Sequence, residues 1–118
     1  KFGLSICYDL RFPNLYRTLS KKGAKIILVP AAFTVPTGKD HWEVLTRARA
    51  IENNVFIIAT NMCGTHHTNR KTYGHSVLVS PWGKLLKKGY DKQMILNTKI
   101  NLSDVTDARK RIPSLING

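Results

Sequence analysis

Apolar residues in this chain come in short blocks, each bounded by polar residues, glycine or proline. Residues 2–7, ending in Ile6 and Cys7, read as a buried strand. Pro13 suits the first turn of a helix over residues 14–22, with Leu15, Tyr16 and Leu19 on one face. Gly23 after two lysines is a helix stop. Residues 25–30 are continuously apolar and give a second strand. Strand, helix and strand in so short a span make a βαβ unit, so the two strands should run parallel. Residues 31–39, with Pro36 and Gly38, read as a loop. A helix is expected from Asp40 to Asn53, with Trp42, Leu45, Ala48 and Ile51 at helical spacing. Residues 55–60 form a third buried strand and complete a second βαβ unit.

Beyond Cys63 the pattern changes. Residues 64–71 are polar and read as a loop. Residues 73–80 look like a strand, Pro81, Trp82 and Gly83 a turn, and residues 85–88 an antiparallel return. After a turn at residues 89–92, residues 94–100 read as another strand. Ser103 or Asp104 can cap a final helix that Pro113 ends. The fold class is therefore α/β: parallel strands first, then a meander. There is no internal repeat and no low-complexity segment.

The chain has 118 residues, enough for one small domain or part of a larger one. No apolar run approaches the ~20 residues of a transmembrane helix. Two cysteines, Cys7 and Cys63, are too few for a disulfide framework, which favours a reduced, cytoplasmic thiol protein. The first residue is lysine and the strand pattern begins almost at once, so a portion of a longer domain is expected. Net charge is +12. The basic residues are scattered over helix ends and loops without interleaved aromatics, which argues against a nucleic-acid partner. Nothing points to a membrane.

In open parallel sheets, ligands bind beyond the carboxyl ends of the strands. Cys7 lies there on the first strand, Ala31, Ala32 and Phe33 on the second, and Asn61, Met62 and Cys63 on the third. A thiol entering a turn meets backbone N–H groups that favour thiolate, and the Tyr8 N–H is a natural oxyanion donor. A cysteine at a strand end is also often a small buried apolar residue. Base candidates inside the chain are poor. His66 and His67 sit in a polar loop, His75 follows Gly74 in a strand pattern, and His41 starts a helix. Asp9 is too close along the chain to face Cys7, and Glu43 and Glu52 lie on a helix. Cys63, His66, His67 and His75 cluster in sequence but fit no standard zinc spacing. No glycine-rich phosphate loop is present. No metal or cofactor is expected.

The segment from Gly3 through Cys7 to Pro13 closely resembles the nucleophile segment of the carbon–nitrogen hydrolase (nitrilase) superfamily. Pro30 to Thr34, with Thr37, Gly38, His41 and Trp42, resembles the strand and loop that follow it. Arg47 to Asn53 resembles the next helix. Tyr73 to Ser76, with Pro81 to Gly83, resembles a late hairpin. The resemblance implies a four-layer αββα sandwich and hydrolysis of non-peptide carbon–nitrogen bonds by Cys7 through a thioester. It also implies a Glu base and a Lys oxyanion stabiliser that precede the Cys strand in family members. Neither has a counterpart here, so residues 1–118 correspond to the C-terminal portion of such a domain.

Alone, that portion should be inactive and poorly soluble, with an uncovered sheet face. A non-catalytic remnant of a split or decayed gene is the competing expectation. A basic binding module is less favoured. The matched segments are most similar to the branch of omega-amidases and deaminated glutathione amidases. This implies a terminal amide on a small carboxylate-bearing substrate. Arg11, or residues near Phe33, Thr34 and Thr37, would shape the pocket, although Arg11 could equally be a structural ion-pair partner. Asn14 departs from the acidic residue usual after Phe-Pro in relatives. Family members commonly pair as homo-oligomers through helices matching residues 13–22 and 40–53, and a separate chain could instead supply the N-terminal half.

Overall fold

The computed structural model describes residues 1–118. β1 (Phe2–Leu4) leads through a 3-10 turn at Cys7–Arg11 into α1 (Pro13–Lys21), which returns the chain to β2 (Ile26–Ala31). Pro13 occupies the first turn of α1, where a missing N–H costs nothing. Gly23, at φ 98°, lets the chain turn back so that the Ala24 N–H donates to Leu19 O. β2 pairs parallel with β1 and also with β3 (Phe56–Asn61), in register from Ile26 opposite Phe56 to Ala31 opposite Asn61. Both βαβ units expected from the pattern are present.

The second crossover is helical for longer than its pattern suggested. α2 (Val35–Thr37), a π-turn at Gly38–Trp42 and α3 (Glu43–Asn53) follow one another directly. Pro36 falls in the first turn of this path, where its ring is tolerated. The buried face of α3 carries Thr46, Arg49, Ala50 and Asn53, whereas Ile51 is exposed. Polar groups on that face are affordable because backbone carbonyls take their hydrogens. Thr46 Oγ1 donates to Trp42 O at 2.9 Å and Asn53 Nδ2 to Arg49 O at 3.0 Å.

Three expectations beyond β3 need correction. The loop expected at residues 64–71 contains most of a hairpin, β4 (Cys63–Thr65) with β5 (Lys71–Tyr73). The single strand expected at residues 73–80 is broken, because Gly74 and His75 adopt left-handed backbone at φ 66° and 56°. Only β6 (Val77–Val79) continues, antiparallel to β3, and β7 (Leu85–Lys88) completes a sheet of order β1-β2-β3-β6-β7. Residues 94–100 form no strand. They make no backbone hydrogen bond to any strand of the chain, and Ile95 is 94% exposed. The chain ends in α4 (Ser103–Arg111) and the short α5 (Ser114–Asn117). No helix is long and apolar enough to cross a membrane.

One face of the sheet packs under α1 and α3. There Ile27, Val29, Ile57, Ala59, Val77 and Val79 meet Leu10, Tyr16, Trp42 and Ala50 in the main core. Each such large side chain contributes about 1.5–3 kcal/mol on burial. The opposite face is thinly covered. Val105 and Ile100 reach Ile26 and Phe56, while Phe2 and Leu4 are 65% and 70% exposed.

Candidate active site

Parallel pairing runs one residue past β1, with the Ser5 N–H donating to Leu28 O at 3.1 Å. The chain then leaves the sheet abruptly. Cys7 sits at φ 45°, in the left-handed region, which costs a residue with a Cβ roughly 1–2 kcal/mol. The turn holds it there. The Ile6 N–H donates to Asp9 Oδ2 and the Asp9 N–H returns to Ile6 O, both at 2.9 Å. Asp9 thus braces the turn by bonding Ile6. The Tyr8 N–H has no acceptor within the chain and is free to donate.

A buried network supports the turn from below. The Ser5 hydroxyl donates to Leu28 O at 3.2 Å and accepts from the Tyr16 hydroxyl at 2.7 Å. Burial is the main cause that raises Tyr16 above its usual pKa of 10.0, so the phenol stays a neutral donor. From α3, Arg49 Nε donates to Leu10 O at 3.0 Å and Nη1 to Glu52 Oε1 at 2.6 Å. The same guanidinium lies 5.7 Å from the Tyr16 ring centroid. One cation therefore ties α3 to the turn and to the helix behind it.

The exit of β2 is fixed just as firmly. The Phe33 N–H donates to Asn61 Oδ1 and Asn61 Nδ2 to Gly74 O, each at 2.8 Å. The Tyr73 N–H donates to Phe33 O at 2.8 Å, and Thr34 bridges Thr72. These bonds clamp the β4–β5 hairpin onto the loop beyond β2. Gly38 makes the fit possible, since a Cβ there would lie 2.4 Å from the Tyr73 Cβ.

Between the Cys7 turn and this loop is a cleft of about 200 Å³ lined by Cys7, Tyr8, Arg11, Phe33, Thr34 and Arg70, with Ala32 and Thr37. All five residues expected from sequence as site residues meet there. Arg11 makes no ion pair within residues 1–118. Its two Nη atoms each lie 3.2 Å from His41 Nδ1, which must accept. Its guanidinium stands 5.4 Å from the Phe33 and 5.7 Å from the Tyr8 ring centroids.

No histidine or acidic side chain lines the cleft. His66 Nε2 bonds Thr72 Oγ1 at 2.6 Å, and His75 Nδ1 donates to Tyr73 O at 2.6 Å while its ring stacks on Tyr73. No group of three His, Cys, Asp or Glu side chains converges on a point. Cys63 is half-buried in a separate depression beside Met62, Ser76 and Tyr90. Sequence reasoning placed Asn61 at this edge but missed Arg70 and Arg49 as parts of the arrangement. Arg49 was findable, because Trp42, Thr46, Arg49 and Asn53 repeat at helical spacing on one face. Arg70 left no such signal.

An α/β layer whose first strand delivers a cysteine to the sheet's carboxyl edge is the frame expected for the family whose nucleophile segment this sequence resembles. The chain belongs to the carbon-nitrogen hydrolase family, whose pattern matches residues 1–110. It is 50% identical over 113 residues to the deaminated glutathione amidase of Synechocystis sp., an alignment covering 96% of this chain and 42% of that protein. The chain thus spans less than half the length of this curated relative. The fold is similar to part of the C. elegans NitFhit protein, with a TM-score of 0.92 at 40% identity over 100% of this chain and 29% of that one. A variant of the amidase from Nesterenkonia sp., with acrylamide added at its active-site cysteine, matches with a TM-score of 0.76 at 29% identity over 95% of this chain and 43% of its own. The sheet-and-helix pair of layers is the part of the αββα sandwich that the resemblance implied.

Proposed function

We propose that these residues are the thiol-bearing, C-terminal portion of an amidase that cleaves a terminal amide from a small carboxylate-bearing substrate, with Cys7 as nucleophile. The observation that carries this is the left-handed Cys7 at the head of the cleft, beside the unengaged Tyr8 N–H. A non-glycine residue held in a strained conformation at a cleft is a motive for a functional reading. The matched cysteine-bearing amidase and the deaminated glutathione amidases support it.

In this reading the Cys7 thiolate attacks the amide carbon, and the Tyr8 N–H receives the oxyanion of the tetrahedral adduct. The adduct collapses, the C–N bond breaks, and ammonia leaves with the proton taken from the thiol. Water then cleaves the thioester, releasing the carboxylate and restoring the thiol. These steps need no cofactor. Arg11, with its charge unbalanced by any carboxylate, receives the substrate carboxylate, while Phe33 and Thr34 pack around the chain between the two groups. The resemblance implies that the base and the cationic oxyanion donor are a Glu and a Lys outside residues 1–118; the cleft wall formed by this chain holds neither. Without them the chain by itself turns over nothing. The outer faces of α1 and α3 serve pairing with a second copy in the intact enzyme.

The test is a chimera in which this chain replaces the matched segment of the Synechocystis relative, assayed for ammonia release from a small carboxylate-bearing primary amide and for amine release from deaminated glutathione. Turnover lost on Cys7→Ala and kept on Cys63→Ala is the expected result. Turnover that survives Cys7→Ala refutes the nucleophile, and turnover by residues 1–118 alone refutes the division of the machinery. A chimera that folds but shows no saturable turnover in any background favours the remnant reading.

A further inference from the structure

The cleft beside Cys7 carries a second positive charge that the proposed chemistry leaves unused. Arg70 comes from the tip of the β4–β5 hairpin, an element separate from the turn that holds Arg11, yet both line the same cleft. Its backbone is pinned. The His66 N–H donates to Arg70 O at 2.7 Å, and two residues on, Thr72 bridges Thr34. Thr68 and Asn69, at φ 66° and 58°, reverse the chain just before it. Its guanidinium, by contrast, makes no hydrogen bond or ion pair in the chain. The three ion pairs use Glu43 and Glu52 and lie elsewhere. A firmly placed backbone presenting a guanidinium with no partner in residues 1–118, on a cleft wall to which those residues bring no acidic side chain, is suited to binding an anion.

We propose that Arg70 is a specificity-determining residue that binds a second acidic group of the substrate. With Arg11 taking one carboxylate, the cleft then selects amides bearing two carboxylates over those bearing one. The proposal rests on the reading of Cys7 as the reacting thiol and deepens it by naming the charge class of the substrate. Two guanidiniums on separate elements are matched by two separated anionic groups, whereas one small carboxylate needs only one fork.

The test reads the cleft through the thiol itself and does not depend on turnover. Cys7 is alkylated by three iodoacetyl reagents with one warhead: iodoacetyl-glycinamide, which is neutral, iodoacetyl-glycine, a monoanion, and iodoacetyl-aspartate, a dianion. Rates at Cys7 and Cys63 are followed by peptide mass spectrometry and normalised to a free thiol. The dianion-to-monoanion ratio at Cys7 should exceed that at Cys63. It should fall roughly threefold in Arg70→Gln at low ionic strength, as expected for one solvent-exposed charge acting over several ångströms. Arg70→Lys should restore most of the ratio, and added salt should shrink it. Arg11→Gln should lower the monoanion-to-neutral ratio instead. A ratio at Cys7 indifferent to Arg70→Gln overturns the role of Arg70 while leaving the thiol reading intact. A Cys7 no faster than Cys63 with every reagent overturns the thiol reading, and the proposal with it.

Discussion

Replacing Arg49 with methionine isolates what one buried cation does for the Cys7 turn. Arg49 is 7% exposed, and methionine refills most of its volume without the charge. The Nε bond to Leu10 O is lost, leaving a carbonyl of a fully buried residue without its charged donor, at about 1.5–3 kcal/mol. The pair with Glu52, whose side chain is 36% exposed, adds about 0–1 kcal/mol. The sum is about 1.5–4 kcal/mol, a large share of an ordinary domain's stability. Arg49→Lys should lose roughly half of this, because a single ammonium cannot serve both acceptors in the geometry of the fork. Urea unfolding of wild type and both variants reads the shift in midpoint at constant slope. Amide exchange across residues 7–12 should also accelerate in Arg49→Met. A destabilisation below about 0.5 kcal/mol, or unchanged exchange in that turn, would refute the reasoning that Arg49 holds the turn.

Two further outcomes follow from the same packing. Neutral Tyr16 is favoured by burial, so its stabilisation is fully present below pH 10.0 and is lost as pH rises through its elevated folded-state value. Tyr16→Phe should therefore cost about 1 kcal/mol at neutral pH, through the missing bond to Ser5, and should blunt the loss of stability above pH 10.0; alkaline urea titrations check both. Gly38→Ala puts a methyl group 2.4 Å from the Tyr73 Cβ and should cost about 1–3 kcal/mol by pushing the β4–β5 hairpin off Phe33 and Thr34. Faster proteolysis within residues 64–71 would report that displacement, and an unchanged cleavage rate would argue that Tyr73 yields locally instead.

What could be read along the chain was whatever local chemistry fixes. Continuous apolar blocks gave β2 and β3, because a strand covered on both faces needs apolar residues at every position. Pro13 and Gly23 bounded α1, because each restricts or frees its own backbone. Cys7, Phe33 and Asn61 were legible as neighbours, because parallel strands joined by right-handed crossovers must bring their carboxyl ends to the same edge, whereas Arg11 and Thr34 were expected there only through the family resemblance. The breaks at Gly74 and His75 were not legible. Their left-handed backbone is stabilised by partners distant in sequence, with the Gly74 N–H bonded to Met62 O and the His75 N–H to Tyr90 O. The sequence of residues 94–100 suits a strand, but a strand needs ladder bonds to a neighbour, and this segment makes none in the chain. Arg49 and Arg70 mark the same divide. Each reads as one more basic residue, and its burial under the Cys7 turn or its place on the Cys7 cleft is set by which segments pack together. The sequence by itself therefore determined the order of the three parallel strands and their helices and the place of Cys7 at a strand end, through forces acting over a few residues. The tertiary structure alone decided which charges are buried, which remain unpaired, and which face the thiol, because electrostatic partners are chosen by proximity in space.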